Sequence, residues 1–280
     1  MIHDELENSR VWFITGTSGG MGYALAKAAL QQGDRVAATA RNSILPKELA
    51  TRFPGCALAI ELDVREEATA DRAAEQAVEA FGRIDIVFNN AGFATVGSAE
   101  GTTDKQVREM FDTGFFGVLN VLRATLPVLR QQRSGHVLQM SSIFGHMSFP
   151  ATGVIAAAKQ SVGAITQAMA QELGPMGIKF TQIEPGGLNT QFLAKWISSE
   201  NEYPDYDTAV GPVLQLLRNL PDEAVADIDR VAAAILEVVA VDDPPMHLAL
   251  GSWAERIIRK ELTDRLADLD SWAALTRSVD

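Results

Sequence analysis

Val11-Trp-Phe-Ile-Thr-Gly-Thr-Ser-Gly-Gly-Met-Gly-Tyr-Ala-Leu-Ala26 sets five strand-forming residues against a glycine-rich turn and the start of a helical repeat. A short apolar run that ends in glycines and passes straight into helical spacing opens a strand–helix unit of a parallel sheet. Gly16, Gly20 and Gly22 permit a tight turn and the close approach of a pyrophosphate to the helix N-terminus. Glycine-rich loops also make ordinary strand–helix turns. Its place at the first such junction of a parallel pattern makes this one a nucleotide-binding loop.

Outward from this stretch, short apolar runs alternate with helical-period segments. Residues 35–40, 57–62, 84–89, 136–141 and 179–184 join 11–15 as expected strands. Residues 21–32, 46–53, 67–81, 103–133 and 152–173 read as helices, the fourth holding two helices broken near 112–114. From 187 to about 221 the pattern loosens, and Tyr-Pro-Asp-Tyr-Asp (203–207) interrupts weak helices, as a lid over a cleft does. A helix over 222–241, a last strand over 246–250 and a helical extension over 252–275 follow. Strict alternation predicts an α/β fold, a Rossmann-like doubly wound parallel sheet of about seven strands with helices on both faces. No repeat or linker divides residues 1–280, so one domain is expected.

Composition narrows the function classes. A net charge of −12 argues against nucleic-acid or anionic-membrane partners. Cys56 is the sole cysteine, which excludes an intrachain disulfide and a thiolate metal cluster. His3, His136, His146 and His247 lack ligand-like spacing, so no metal is expected. The acidic N-terminal residues do not read as a signal peptide, and no run of 18 uncharged apolar residues occurs. A cytoplasmic location is the resulting expectation.

The glycine loop has the form T-G-x-x-x-G-x-G, and further motifs follow it in order. Asn89-Asn-Ala-Gly92 closes the fourth strand, Ser141-Ser142 the fifth, and Pro185-Gly186 with Thr190 the sixth. On these residues the chain resembles the short-chain dehydrogenase/reductase family over nearly its whole length, in its steroid-dehydrogenase-like branch. The resemblance implies a nicotinamide dinucleotide held by Gly16, Thr17, Ser18, Gly20, Met21 and Gly22. It extends that cradle to Arg41, Asp63, Val64, Asn90, Ala91, Gly92, Lys159, Pro185, Gly186 and Thr190. An acidic residue at the second strand end would accept from a ribose 2′-hydroxyl and select NAD. Here Ala40 leaves that place uncharged and Arg41 is suited to a 2′-phosphate, so NADP(H) is expected. Asp63 matches the family's adenine-binding residue.

In this family a serine polarises the substrate carbonyl and a tyrosine transfers the proton. A lysine positions the ribose and tunes the tyrosine, and an asparagine holds a water in the proton relay. Ser142 and Lys159 match two of the four. Ile155 occupies the tyrosine position, four residues before Lys159 on one helix face, and Gly114 the asparagine position. Acid–base assistance contributes about 10²–10⁴-fold in rate, so ordinary ketoreductase activity should be weak.

Three readings compete. The chain is a hydride-transfer enzyme with another acid (Tyr203, Asp205, Tyr206 or His146) or with a substrate, such as an iminium, that needs no proton. Alternatively it is an isomerase, lyase or cyclase on the same fold. The third reading is a catalytically impaired natural or engineered variant that binds cofactor. Phe93, Met147, Phe149, Phe192 and Trp196 after strand ends and at the lid suggest a sizeable apolar substrate. Small residues along 153–164, with the family resemblance, imply a homodimer or homotetramer through this helix and that over 107–133.

Overall fold

The computed structural model of the protein describes residues 9–190 and 195–280. Strands β1 (Val11–Thr15), β2 (Arg35–Ala40), β3 (Ala57–Glu61), β4 (Ile86–Asn89), β5 (Gly135–Met140), β6 (Ile178–Pro185) and β7 (His247–Leu250) form one sheet. Every pairing in it is parallel, in the order β7-β6-β5-β4-β1-β2-β3. The strand residues alternate between two buried faces. Trp12, Ile14, Val36 and Phe88 pack on one side, with Leu25 of helix α1 (Gly20–Gln31). Phe13, Ala37, Val87 and Val137 pack on the other. Near-continuous apolar strands are what a sheet covered on both faces requires.

Helices α2 (Ile44–Arg52), α3 (Glu67–Phe81), α4 (Asp104–Phe111), α5 (Gly117–Gln132) and α6 (Gly153–Leu173) follow the expected order. Thr103 starts α4 with a capping box: its hydroxyl accepts from Gln106 N, and the Gln106 side chain accepts from Thr103 N. The expected break near 112–114 is instead a π-helical turn, Asp112–Phe116, that joins α4 to α5 without leaving the helical path. The glycines at 114 and 117 mimic a break in sequence, but Gly117 is there for close packing. A Cβ on it would meet Val64 Cγ2 at 2.7 Å.

The segment expected as a lid forms α7 (Asp207–Arg218) and two short parallel ribbons, Thr95–Val96 with Ile197–Ser198 and Gly187–Leu188 with Val225–Ala226. Gln106 ties the first ribbon to α4, donating to Ser198 O at 2.8 Å. The expected helix over 222–241 is shorter, α8 (Ile228–Val238), because Asp227 caps it and 225–226 are drawn into the second ribbon. The C-terminal extension divides at Trp272 into α9 (Ser252–Ser271) and α10 (Ala273–Arg277). No helix among the described residues is long and apolar enough to cross a membrane.

Candidate active site

Strand order reverses between β1 and β4, and the crevice beyond their carboxyl ends is where such sheets bind ligands. The glycine loop after β1 and the Asn89–Gly92 turn after β4 meet there. Thr15 Oγ1 accepts from Asn90 N at 2.9 Å and from Ala91 N at 3.0 Å, while Asn90 Nδ2 donates to Thr15 O at 2.9 Å. The approach is close enough to demand glycine. A Cβ on Gly16, which has φ +75°, would stand 2.9 Å from Ala91 Cα, and one on Gly22 2.6 Å from Asn90 Nδ2.

This cradle fits a dinucleotide pyrophosphate. The first turn of α1 has no side-chain cap, and nothing stands within 4 Å of where a Gly19 Cβ would point. Its free N–H groups and the positive end of the helix dipole therefore face open space. Thr190 lies across the loop, 3.8 Å from the Cβ position of Gly20, which brings the last motif onto the first. Thr17 is buried and donates to Thr39 O at 3.1 Å, so it shapes the loop, whereas Ser18 is exposed. Met21 is buried in the core beneath the loop.

Around the rim, Arg41 is exposed just past β2. Asp63 is clamped by Arg65, whose Nη2 donates at 2.5 Å and Nε at 3.0 Å. The Arg65 guanidinium holds the Asp63 carboxyl below its ordinary range, so it stays an ionised acceptor. Val64 is buried and its carbonyl accepts from Asn120 Nδ2 at 3.0 Å.

On the catalytic side, Ser142 follows β5 in extended conformation, and its Oγ donates to Pro185 O at 3.4 Å. Lys159 projects from α6 and donates to the carbonyl of Met140, two residues before Ser142, at 2.5 Å. Burial of its ammonium end pushes its pKa down to about 8. Ile155 is 2% exposed and lies in an apolar cluster with Ala94, Met110 and Ala158, edged by Phe93, Phe111, Phe144, Val154 and Trp196. A Cβ on Gly114, in the π-helical turn, would meet Met110 Cε at 3.5 Å and Ala158 Cβ at 3.7 Å, ordinary contacts. Packing therefore does not require glycine at 114. Ile155 and Gly114 both border the same apolar cluster.

Among the described residues of the lid, the acids considered from sequence are held at the surface. Tyr206 donates to Glu100 Oε2 at 2.6 Å on the surface, and that carboxylate raises its pKa. Tyr203 stacks near it at 6.3 Å, and Asp205 is exposed. Of the expected substrate-side residues, Phe93 and Trp196 reach the Ile155 cluster. Phe149 meets it through an edge contact with Phe144 at 6.4 Å. Met147 is buried outside that cluster, and Phe192 lies outside the described residues.

Two features escape the sequence reading. Thr15 is the knot between the two loops, signalled by the threonine that opens T-G-x-x-x-G-x-G. The second is a group of titratable side chains immediately behind Ser142. His146 and His247 both reach the buried Glu184, although their sequence spacing is not ligand-like. Their separation of about a hundred residues hides this from any reading based on spacing.

The family model described as short chain dehydrogenase matches residues 10–201. An oxidoreductase of Botryotinia fuckeliana is 34% identical over 96% of this chain and 98% of its own. A 3-ketodihydrosphingosine reductase of Bacteroides thetaiotaomicron is 31% identical over 90% of this chain and 91% of its own. Among solved structures, a short-chain dehydrogenase from Streptomyces avermitilis superposes with a TM-score of 0.92 at 35% identity, covering 98% of this chain and 99% of that one. A Thr15-knotted glycine cradle at the switch point, Ser142 and Lys159 beside it, and these likenesses agree: the chain belongs to the short-chain dehydrogenase family of oxidoreductases.

Proposed function

We propose that the protein is an NADP(H)-dependent oxidoreductase acting on an apolar carbonyl- or imine-type substrate, with a proton path that differs from the family's. One observation carries the reading: alongside the glycine cradle, Ser142 and Lys159 are accompanied by an apolar cluster around Ile155, where the family's proton donor would stand. A bound nicotinamide supplies or takes the hydride. The α1 N-terminus binds the pyrophosphate, Arg41 a 2′-phosphate, and Asp63 the adenine amino group. Lys159 donates to the ribose hydroxyls, and Ser142 turns its hydroxyl from Pro185 O to a substrate oxygen. Phe93, Ile155 and Trp196 exclude water and select an apolar substrate. The similarity to a 3-ketodihydrosphingosine reductase supports that substrate class.

Ketone reduction must deliver a proton to oxygen, and among the described residues no phenol lies in the Ile155 cluster to do so. Loss of that assistance costs roughly 10²–10⁴-fold. A preformed iminium accepts hydride without a proton and escapes the penalty. The test follows NADPH oxidation across apolar ketones, cyclic iminium ions and enones. Turnover of iminium substrates well above that of matched ketones is expected. Product formation without NADPH consumption would overturn the reading in favour of isomerase or lyase chemistry.

The same reading places the protein in the cytoplasm as a homodimer or homotetramer, supported by Ala157 and Ala164, exposed small residues on α6 that permit close helix approach. Light scattering that showed monomer alone at micromolar concentration would contradict the assembly.

A further inference from the structure

Behind Ser142, three side chains from three separate elements converge. His146 comes from the turn after β5, Glu184 from the end of β6 and His247 from the start of β7. Their ligand atoms all lie within 4.8 Å of one another. His247 Nδ1 stands 2.7 Å from Glu184 Oε1, and His146 Nε2 stands 2.9 Å from Glu184 Oε2. The two imidazole rings are 5.5 Å apart between centroids, inclined at 54°. Glu184 is only 2% exposed, His146 13% and His247 40%, so the group is closed below and open past His247.

A hydrogen-bonded triad accounts for the His247 contact but not for the other. His146 Nε2 is buried and close to the carboxylate, yet its direction satisfies no hydrogen bond, so the contact is one of proximity. The neighbouring Ser141 hydroxyl is buried and also lacks a protein partner. A ring nitrogen aimed into a polar space that a carboxylate and a second imidazole share is what a metal ligand looks like. By contrast, His136 is engaged elsewhere, with Thr181 at 2.9 Å, and burial pushes its pKa down to about 4.

We propose that His146, Glu184 and His247 bind a divalent transition cation of the zinc class. Two neutral imidazoles and one carboxylate suit zinc or cobalt, whereas magnesium and calcium prefer an all-oxygen shell. Tetrahedral ligands at about 2.0–2.1 Å from zinc stand roughly 3.3 Å from each other. The observed contacts of 2.7 and 2.9 Å run to the two different carboxylate oxygens, and the three ligand atoms lie within 4.8 Å of one another, so a bound ion would open the first two by about half an ångström and draw the imidazoles together. Three protein ligands leave a fourth position on the open side, for water. Gln167 provides the outer support: its side-chain amide is 3.4 Å from His247 Nε2. Turned so that its oxygen faces the ring, it accepts the Nε2–H that a Nδ1-ligating tautomer carries. The cation would clamp the edge strand β7 to the turn after Ser142 and to the residue before Pro185, whose carbonyl holds the Ser142 hydroxyl. The proposal rests on neither hydride transfer nor a bound cofactor.

The test uses the full chain without an affinity tag, stripped with chelator and titrated with zinc, cobalt and magnesium chlorides. One zinc per chain is expected, with a rise in Tm of about 5 °C at a hundredfold excess over Kd, and no response to magnesium. Cobalt should give the visible d–d bands of a low-coordinate site. His247→Ala and Glu184→Gln should abolish both signals, while His3→Ala should leave them unchanged. Circular dichroism without metal checks that each variant folds, and His146→Gln serves if one does not. No saturable zinc binding, or stoichiometric binding that survives His247→Ala and Glu184→Gln, would overturn the proposal.

Discussion

The crevice has two walls built on different terms. On the β1–β4 wall, backbone meets backbone: Thr15, Asn90 and Ala91 are laced by hydrogen bonds, and Gly16 and Gly22 leave no room for a side chain. On the β5–α6 wall, the chemistry depends on side chains that project into the crevice, and Ile155 and Gly114 sit there in relaxed packing. A change on the first wall disturbs the fold itself. A change on the second would alter the reaction and leave the fold alone, so under the proposed function the cradle persists while the proton path differs.

The largest effect expected from breaking the first wall is that of Gly22→Val. Overpacking against Asn90 should cost about 1–3 kcal/mol in urea denaturation and weaken NADPH binding by roughly a hundredfold. Ordinary affinity and stability in this variant would mean that the close approach is not needed. Lys159→Met comes next, lowering NADPH affinity by about tenfold or more through loss of charge-assisted hydrogen bonds. It also has a pH signature. Burial lowers the Lys159 pKa from 10.5 to about 8, so between those values the unfolded chain holds more protons than the folded one. Stability contributed by this group must rise with pH across that window, and urea midpoints of the Met variant should lack that rise.

Arg41→Ala sharpens the cofactor choice. A lost charge-assisted contact at an exposed site should weaken NADPH about tenfold with little change for NADH. Equal losses for both would leave the 2′-phosphate assignment without support. The smallest effect belongs to Tyr206→Phe. Its phenol is committed to Glu100 at the surface, so turnover should not change and stability should move by no more than about 0.5 kcal/mol. A large drop in turnover would instead make the lid the source of the proton.

The fold was legible because glycines and apolar runs mark strand ends by local physics. Residues 11–22 alone dictate a strand, a turn and a helix. Helix 112–116 was misread as a break, since glycine weakens helical propensity whether the chain breaks or merely widens into a π turn. The meeting of the glycine loop with the 89–92 turn follows from the same local physics, each motif lying within a few residues of a strand end. The environment of Ile155 does not, because Ala94, Met110 and Trp196 reach it from three distant segments. The grouping of His146, Glu184 and His247 is likewise a product of sheet order, which places β7 beside β6 and β6 beside β5.

The contrast between the walls is tested most directly by restoring the second one. Ile155→Tyr and Gly114→Asn, made singly and together, are assayed for NADPH-dependent reduction of apolar ketones, with NADPH affinity measured in parallel. The double variant should gain about 10²–10⁴-fold in rate with the cofactor affinity unchanged. A folded double variant that binds NADPH normally and reduces ketones no faster than the parent would contradict the account, because the missing phenol would then not be what limits the chemistry.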